Sequence, residues 1–460
     1  MKKEKGGLFS PIDMTQGTPW KQILAFMIPL LIGNVAQQLY NTVDSIVVGR
    51  YLGDHALAAV GSAGPIMQLL IILFVGIGNG ATILISQYFG AGDRDGLTKS
   101  VANCVLLTFL AALTISVVGI AVSRPLLTLL RTPEELLDGC LLYLRVLLSG
   151  ALGFGYYNIL NGVLRGMGDS VSALIYLIIA SFLNIVLDIL FVAAFGMGVE
   201  GVAIATIAAQ GIAAVMCAVK LSRMKQVLDL SLRQLKWNSA YAGKIVSLGG
   251  PSGVTQVILS MSMLLVQALN NSFGAAFVAA TVIVQRIDGF AMMPAMSFGN
   301  AMTTYAGQNM GARNLKRTEE GAKQGIALAI GISALIGLGL AVFGKYLAAI
   351  FTDTEEIVVL STLLIRIMAP GYLFLSAVHC MAGVMRGAGD TITPMWLSII
   401  QLFGMRVPFA YLLCYLTRSP ELPNGMREMI YVSLLMSFVL GCLMHVIVYK
   451  RGKWKEKVVI

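Results

Sequence analysis

Three carboxylates, Asp44, Asp188 and Asp288, stand inside apolar runs long enough to cross a bilayer. An aspartate at the centre of a spanning helix costs about 2.5–3.5 kcal/mol on insertion scales, so it normally faces a water-filled route or a polar partner. The chemistry open to such an acid is reversible binding of a cation. The stretch from Trp20 to Gly49 shows the pattern most fully. On a helix advancing about 100° per residue, Asn34, Gln37, Gln38, Asn41, Asp44 and Ser45 share one stripe, with Ile, Leu, Val and Phe opposite. Asp44 is therefore the first functional candidate. Its competing reading is a carboxylate that snorkels near a helix end, since Gly49 follows closely.

The elements that must position these acids follow from composition. The chain has 460 residues, 57% of them hydrophobic and only 12% charged, with a mean hydropathy of +0.80. Soluble globular domains carry about 25% charged residues, so this is a polytopic membrane protein. A net charge of +10 could suggest nucleic acid, but no basic stripe is interleaved with aromatics, and the charges cluster in loops between apolar segments. No nucleic-acid partner is expected; membrane lipid is. The six cysteines are scattered through apolar sequence without a Cys-x-x-Cys or Cys/His cluster, which indicates neither a disulfide framework nor a metal site. The first apolar run is too long for a signal-peptide core, so no cleavage is expected.

Apolar length predicts twelve spans near 21–48, 56–84, 98–121, 137–160, 171–195, 199–221, 242–270, 276–303, 320–343, 358–382, 392–416 and 427–449. With the N-terminus inside, most Lys and Arg fall on the cytoplasmic side, which places both termini there. The expected organisation is a cytoplasmic segment 1–20, an N-terminal lobe 21–221, a linker 222–241, a C-terminal lobe 242–449 and a basic tail 450–460. The two lobes read as repeats. A shift of 221 carries Arg165-Gly-Met-Gly-Asp169 onto Arg386-Gly-Ala-Gly-Asp390, Gln87, Gly90 and Ala91 onto Gln308, Gly311 and Ala312, and Gly53 onto Gly274. Pro29 falls opposite Pro251 at 222. Because each half has an even number of spans, the halves share one topology, with an axis along the membrane normal and a binding cleft expected between them.

Several motifs resemble enzymes on inspection. Gly-x-Gly-Asp occurs in intramembrane aspartyl proteases, but here it is duplicated and lies in loops. Gly250-Pro251-Ser252-Gly253 resembles a serine-protease motif, yet the chain has only His55, His379 and His445, and Pro251 is already explained by the repeat. Gly339-x4-Gly344-Lys345 ends in Tyr346, where a nucleotide loop needs Ser or Thr. No enzyme is indicated, and no cofactor.

Twelve spans in two repeats, the paired Arg-Gly-x-Gly-Asp loops and the Gln-x-x-Gly-Ala segments resemble the multidrug and toxic-compound extrusion (MATE) family over nearly the whole chain. The resemblance implies an all-α fold with V-shaped lobes and an efflux antiporter. Such an antiporter exports amphiphilic, often cationic small molecules by alternating access in exchange for protons or sodium, from the cell membrane and as a monomer. The DinF-like prokaryotic branch is similar in its N-terminal cation site. That likeness implies cation coupling by Asp44, Asp188, Asn184, Thr206 and Asn161, with Pro29 as a helix-bending residue. Asn184 and Asp188 are one turn apart, with Ser181 a turn before, so the three share a face. The glutamate on the seventh span and aspartate on the tenth that the NorM-like branch would carry are absent: the seventh carries Gln256 and Gln267.

Substrate-cavity candidates are Gln37, Asn41, Asn158, Gln256, Gln267, Asp288 and Met292. Asp288 is ambiguous: Arg286, two residues away, points elsewhere on the helix, whereas Arg406 is a possible partner in a buried ion pair. Met261, Met263, Met292, Met293 and Met296 suit either an adaptable wall or ordinary lipid-facing or packing positions. A lipid-linked-precursor flippase is the alternative transporter. Such a protein would line its cleft with basic residues for pyrophosphate, and the embedded bases Arg145, Arg286, Arg366 and Arg406 lie mostly in the second half.

Overall fold

A computed structural model describes residues 11–130, 132–229 and 231–460. The expected cytoplasmic segment 1–20 thus lies partly outside the described residues. Among the described residues, ten helices are long and apolar enough to cross a membrane, or up to twelve if each of two bent pairs counts as one span. In chain order they are α1 (Pro19–Gly53), α2 (54–91), α3 (Arg94–Leu129), α4 (Glu134–Ser149 and Ala151–Gly166), α5 (Ser170–Ala194) and α6 (Val199–Arg223). There follow α7 (Ser239–Asn271), α8 (Ala275–Gly311), α9 (Leu315–Ala349), α10 (Glu355–Met368 and Gly371–Gly387), α11 (Ile392–Leu416) and α12 (Met429–Arg451). Helix is the spanning solution because every backbone N–H finds its carbonyl within the segment, where lipid offers none.

The repeat seen in the sequence reappears in the backbone. Positive φ occurs at Gly53 (83°), Gly92 (69°) and Gly168 (89°), and 221 residues on at Gly274 (87°), Arg313 (56°) and Gly389 (103°). Arg313 is the exception to glycine at these points, and it shows that the turn geometry is conserved between halves even where residue type is not. The caps repeat as well: Ser172 N–H donates to Asp169 Oδ1 at 3.0 Å, and Thr393 N–H to Asp390 Oδ1 at 3.2 Å. Asp169 N-caps α5 and Asp390 accepts from the first turn of α11, which is the structural reading of the Arg-Gly-x-Gly-Asp loops. Asp169 also pairs with Lys220 at 3.6 Å.

The α2–α4 and α8–α10 crossings repeat too. A Cβ on Gly162 would sit 2.9 Å from Gly78 O, and one on Gly383 would strike Gly299 O, the equivalent atom. Thr82 and Thr303 return their hydroxyls to those same carbonyls at 2.9 Å. Small residues let the backbones approach closely, which replaces the hydrophobic drive that lipid removes. Both α4 and α10 bend at equivalent places, by 55° at Gly150 and by 45° before Gly371.

Two compact units emerge, one holding Ile28–Gly253 and the other Met14–Met27 with Val254–Val459. These bounds differ from the expected lobes, 21–221 and 242–449, and hydrogen bonds and close packing give the reason. Met14 N–H donates to Gln308 Oε1 at 2.9 Å, and Trp20 N–H to Gln324 Oε1 at 3.0 Å, which binds the start of α1 into the second unit. In the first unit, Asn238 N–H donates to Asn103 Oδ1 at 2.9 Å, and Gly249 packs against the backbone of Gly76 and Gly80. Asn103 and Gln324 are again 221 residues apart. The linker is not a free tether: Leu228 is buried, and Asp229 N–H donates to Thr98 at 3.1 Å.

Helical backbone runs unbroken through Pro29, and the non-helical residue between Pro19 and Ala91 is Gly53. Pro294 instead marks a real interruption, with α8 restarting at Met293 after Ala291.

Candidate functional site

Three helices of the first unit each contribute two polar residues one turn apart: Tyr40 and Asp44 from α1, Asn184 and Asp188 from α5, Thr206 and Gln210 from α6. Residues at i and i+4 share a face, so each helix presents these two side chains on one polar strip. These strips meet. The carboxyls of Asp44 and Asp188 lie within hydrogen-bonding reach of each other. Asn184 is buried beside them. With its amide nitrogen turned toward the acids it donates to Asp188 Oδ2 at 2.9 Å and meets Tyr40 Oη at 3.3 Å, while its oxygen accepts from Thr206 N–H at 3.1 Å and Thr206 Oγ1 at 3.3 Å.

Asp188 is fully buried and Asp44 half-buried. One carboxylate oxygen of each, Asp44 Oδ1 and Asp188 Oδ1, is buried without a hydrogen-bond donor among the described residues. Two ionised carboxylates in contact repel strongly in apolar surroundings, and a proton or a hard, oxygen-seeking cation neutralises them. The two carboxylates, with the Tyr40 hydroxyl oxygen close by, offer hard oxygen ligands of the kind sodium accepts. Immediately after Asp188 the helix widens into a π-turn, Ile189–Ala194. Such turns are rare and gather at functional positions.

Asp44 also faces a cavity of about 450 Å³ within the same unit. Its polar lining includes Gln37, Tyr40, Asn41, Asn158, Thr206 and Gln210; its apolar lining includes Ile71, Phe74, Ile115, Tyr143, Leu148, Phe154, Tyr157 and Ile207. Among the described lining residues Asp44 is the one that carries a formal charge. A smaller space of about 10 Å³ beside Asn184, Ser181 and Thr206 adjoins Gln37, Tyr40 and Gln210, which also line the larger one. Gln37 and Asn41 are linked, Nε2 to Oδ1, at 3.2 Å.

The remaining candidates are placed elsewhere. Asn161 lines neither space; its amide donates to Ala173 O at 3.4 Å. Gln256, Gln267, Asp288 and Met292 belong to the second unit and do not line the cavity of the first. Gln267 donates to Asn271 at 2.9 Å, and Met292 packs against the second unit's core, as an ordinary packing methionine does. Met261, Met263 and Met296 are exposed. Asp288 accepts a hydrogen bond from the Tyr372 hydroxyl, while Arg406 acts on it electrostatically without forming an ion pair among the described residues. The direct partner is thus Tyr372, 84 residues away on α10, a contact that helix periodicity does not reveal.

The family model MatE matches the chain twice, over residues 29–190 and again over 251–412. The chain belongs to the MatE family. Its two matches start at Pro29 and Pro251, the same places at which the sequence repeats itself. Members are transporters, so this is a multi-pass membrane transporter and not an enzyme. The probable multidrug resistance protein YpnP of Bacillus subtilis is 30% identical, over 96% of this chain and 97% of that one. The probable multidrug resistance protein NorM of Thermotoga maritima is 26% identical, over 96% and 94%. Among solved structures, the outward-facing conformation of a multidrug resistance MATE family transporter of the MOP superfamily superposes with a TM-score of 0.88 at 26% identity, covering 98% of this chain and 99% of that one.

Tyr40, Tyr143, Gln210 and Tyr372 were not among the residues singled out from the sequence. Two of them carried a signal: Tyr40 stands one turn before Asp44, and Gln210 one turn after Thr206. Tyr143 and Tyr372 carried none, since each reaches its neighbours only through tertiary packing.

Proposed function

We propose that this MatE transporter is a secondary antiporter that exports amphiphilic, often cationic organic compounds in exchange for protons or sodium. The observation that carries this reading is the Asp44–Asp188 pair, which joins a buried, amide-bearing cation site to a cavity whose one formal charge among the described residues is Asp44. A coupling ion entering from outside neutralises the pair; with the charge gone, the cavity no longer favours an organic cation, which leaves. Alternating access then returns the site inward. Bending of α1 at Pro29 is a suitable means, because proline removes one helix hydrogen bond and lowers the cost of a bend. Names of relatives such as YpnP and NorM support drug-like substrates. An N-terminal cation site fits the DinF-like branch, and the distribution of Lys and Arg supports cytoplasmic termini in the cell membrane.

The flippase reading is less favoured, since no Lys or Arg lines the cavity among the described residues to bind pyrophosphate. The test is export of a fluorescent organic cation from proteoliposomes under separately imposed sodium and proton gradients, comparing the intact chain with Asp188→Asn. Export driven by one gradient and lost in the variant supports antiport and identifies the ion. Undiminished gradient-driven export by Asp188→Asn would remove the coupling role.

A further inference from the structure

The apolar end of the cavity in the first unit is built on two glycines of the bent helix α4. Gly155 leaves the space into which the Phe74 ring fits: a Cβ there would lie 2.9 Å from Phe74 Cζ and 3.1 Å from Cδ1. Gly150, at the bend, does the same for Ile207, whose side-chain carbons occupy the position a Cβ would take. Phe74 and Ile207 both line the cavity. Phe74 is buried and packs at a tilt on Phe154, with ring centroids 5.9 Å apart. Densely packed surroundings leave a displaced side chain few directions in which to go. With Gly155 behind it and Phe154 beside it, the ring's open direction is the cavity.

We infer that Gly155 and Gly150 are specificity-determining residues, because by seating Phe74 and Ile207 out of the cavity they set the largest organic substrate it admits. The inference rests on the cavity being the substrate site proposed above. It predicts that a single methyl group on Gly155, which does not itself line the cavity, narrows the range of accepted sizes from behind the wall without touching Asp44 or Asp188.

The experiment uses the full chain, purified, with two readouts. One is binding of a tetraalkylammonium ladder from tetramethyl to tetrabutyl and of tetraphenylphosphonium. The other is the labelling rate of Asn158→Cys, placed in the cavity wall, by methanethiosulfonates of graded bulk, against a parent lacking that substitution. In Gly155→Ala, bulky reagents and large cations are expected to lose roughly tenfold or more relative to small ones, and Phe74→Leu in the same chain to restore them. Phe74→Leu alone should admit bulkier reagents than the parent, a result that does not depend on Gly155→Ala folding. A size limit unmoved in both Gly155→Ala and Phe74→Leu overturns the inference. If the intact chain binds no organic cation while the labelling limit still shifts, the substrate reading fails and the size-setting role stands.

Discussion

Gly80→Ala tests the close helix contact that binds the start of α7 into the first unit. A Cβ at Gly80 would meet Ile245 O and would lie 2.9 Å from Gly249 N and 3.1 Å from Gly249 Cα. Every colliding atom is backbone, so no side chain can rotate aside, and the helices must separate. Overpacking of this kind costs about 1–3 kcal/mol. Against that, replacing glycine by alanine in a helix gains about 0.5–1 kcal/mol. The collision wins, leaving a net loss of about 1–1.5 kcal/mol at the central overpacking cost. Gly250 supplies the control: nothing lies within 4 Å of a Cβ built there, so Gly250→Ala keeps only the helix gain. The assay is the thermal midpoint of the detergent-purified chain, where about 1 kcal/mol shifts a unit of this size by roughly 2–4 °C. Gly80→Ala should melt lower and Gly250→Ala no lower than the parent. Equal midpoints for Gly80→Ala and the parent would refute the packing argument.

Two further outcomes follow from the polar clusters. Asn184→Ala removes a buried amide that touches Asp188 and Thr206, and a hydrogen bond to a charged group contributes about 1.5–3 kcal/mol. The loss should appear as a lower thermal midpoint of the purified chain, and an unchanged midpoint would show that the amide does not hold Asp188. Tyr372→Phe takes from Asp288 its one direct donor among the described residues. It should lower the thermal midpoint, by about 1–3 kcal/mol of lost stability, and leave the coupling-ion dependence of export as it was; a shifted ion dependence with unaltered stability would assign Asp288 to transport instead.

The sequence by itself determined the class, the spans and the duplication. Apolar length and the scarcity of charge leave a bilayer-crossing helix as the only way to satisfy the backbone, and the 221-residue shift recurs in dihedral angles, caps and glycine contacts because local turns need the same φ wherever they occur. Asp44, Asn184 and Asp188 were legible for a related reason: a carboxylate in an apolar run is costly, and a one-turn spacing is a local property. Tertiary structure decided what local periodicity cannot. It bound the start of α1 into one unit and the start of α7 into the other, because Gln324 and Asn103 offer their side-chain oxygens to those backbones. It gave Asp288 to Tyr372 where the sequence suggested Arg406, set Met292 in a core, and left Gln256 and Gln267 out of the first unit's cavity. Above all it fixed that cavity's size, which depends on two glycines lying behind Phe74 and Ile207. Packing is a relation between residues far apart in the chain, and single positions do not carry it.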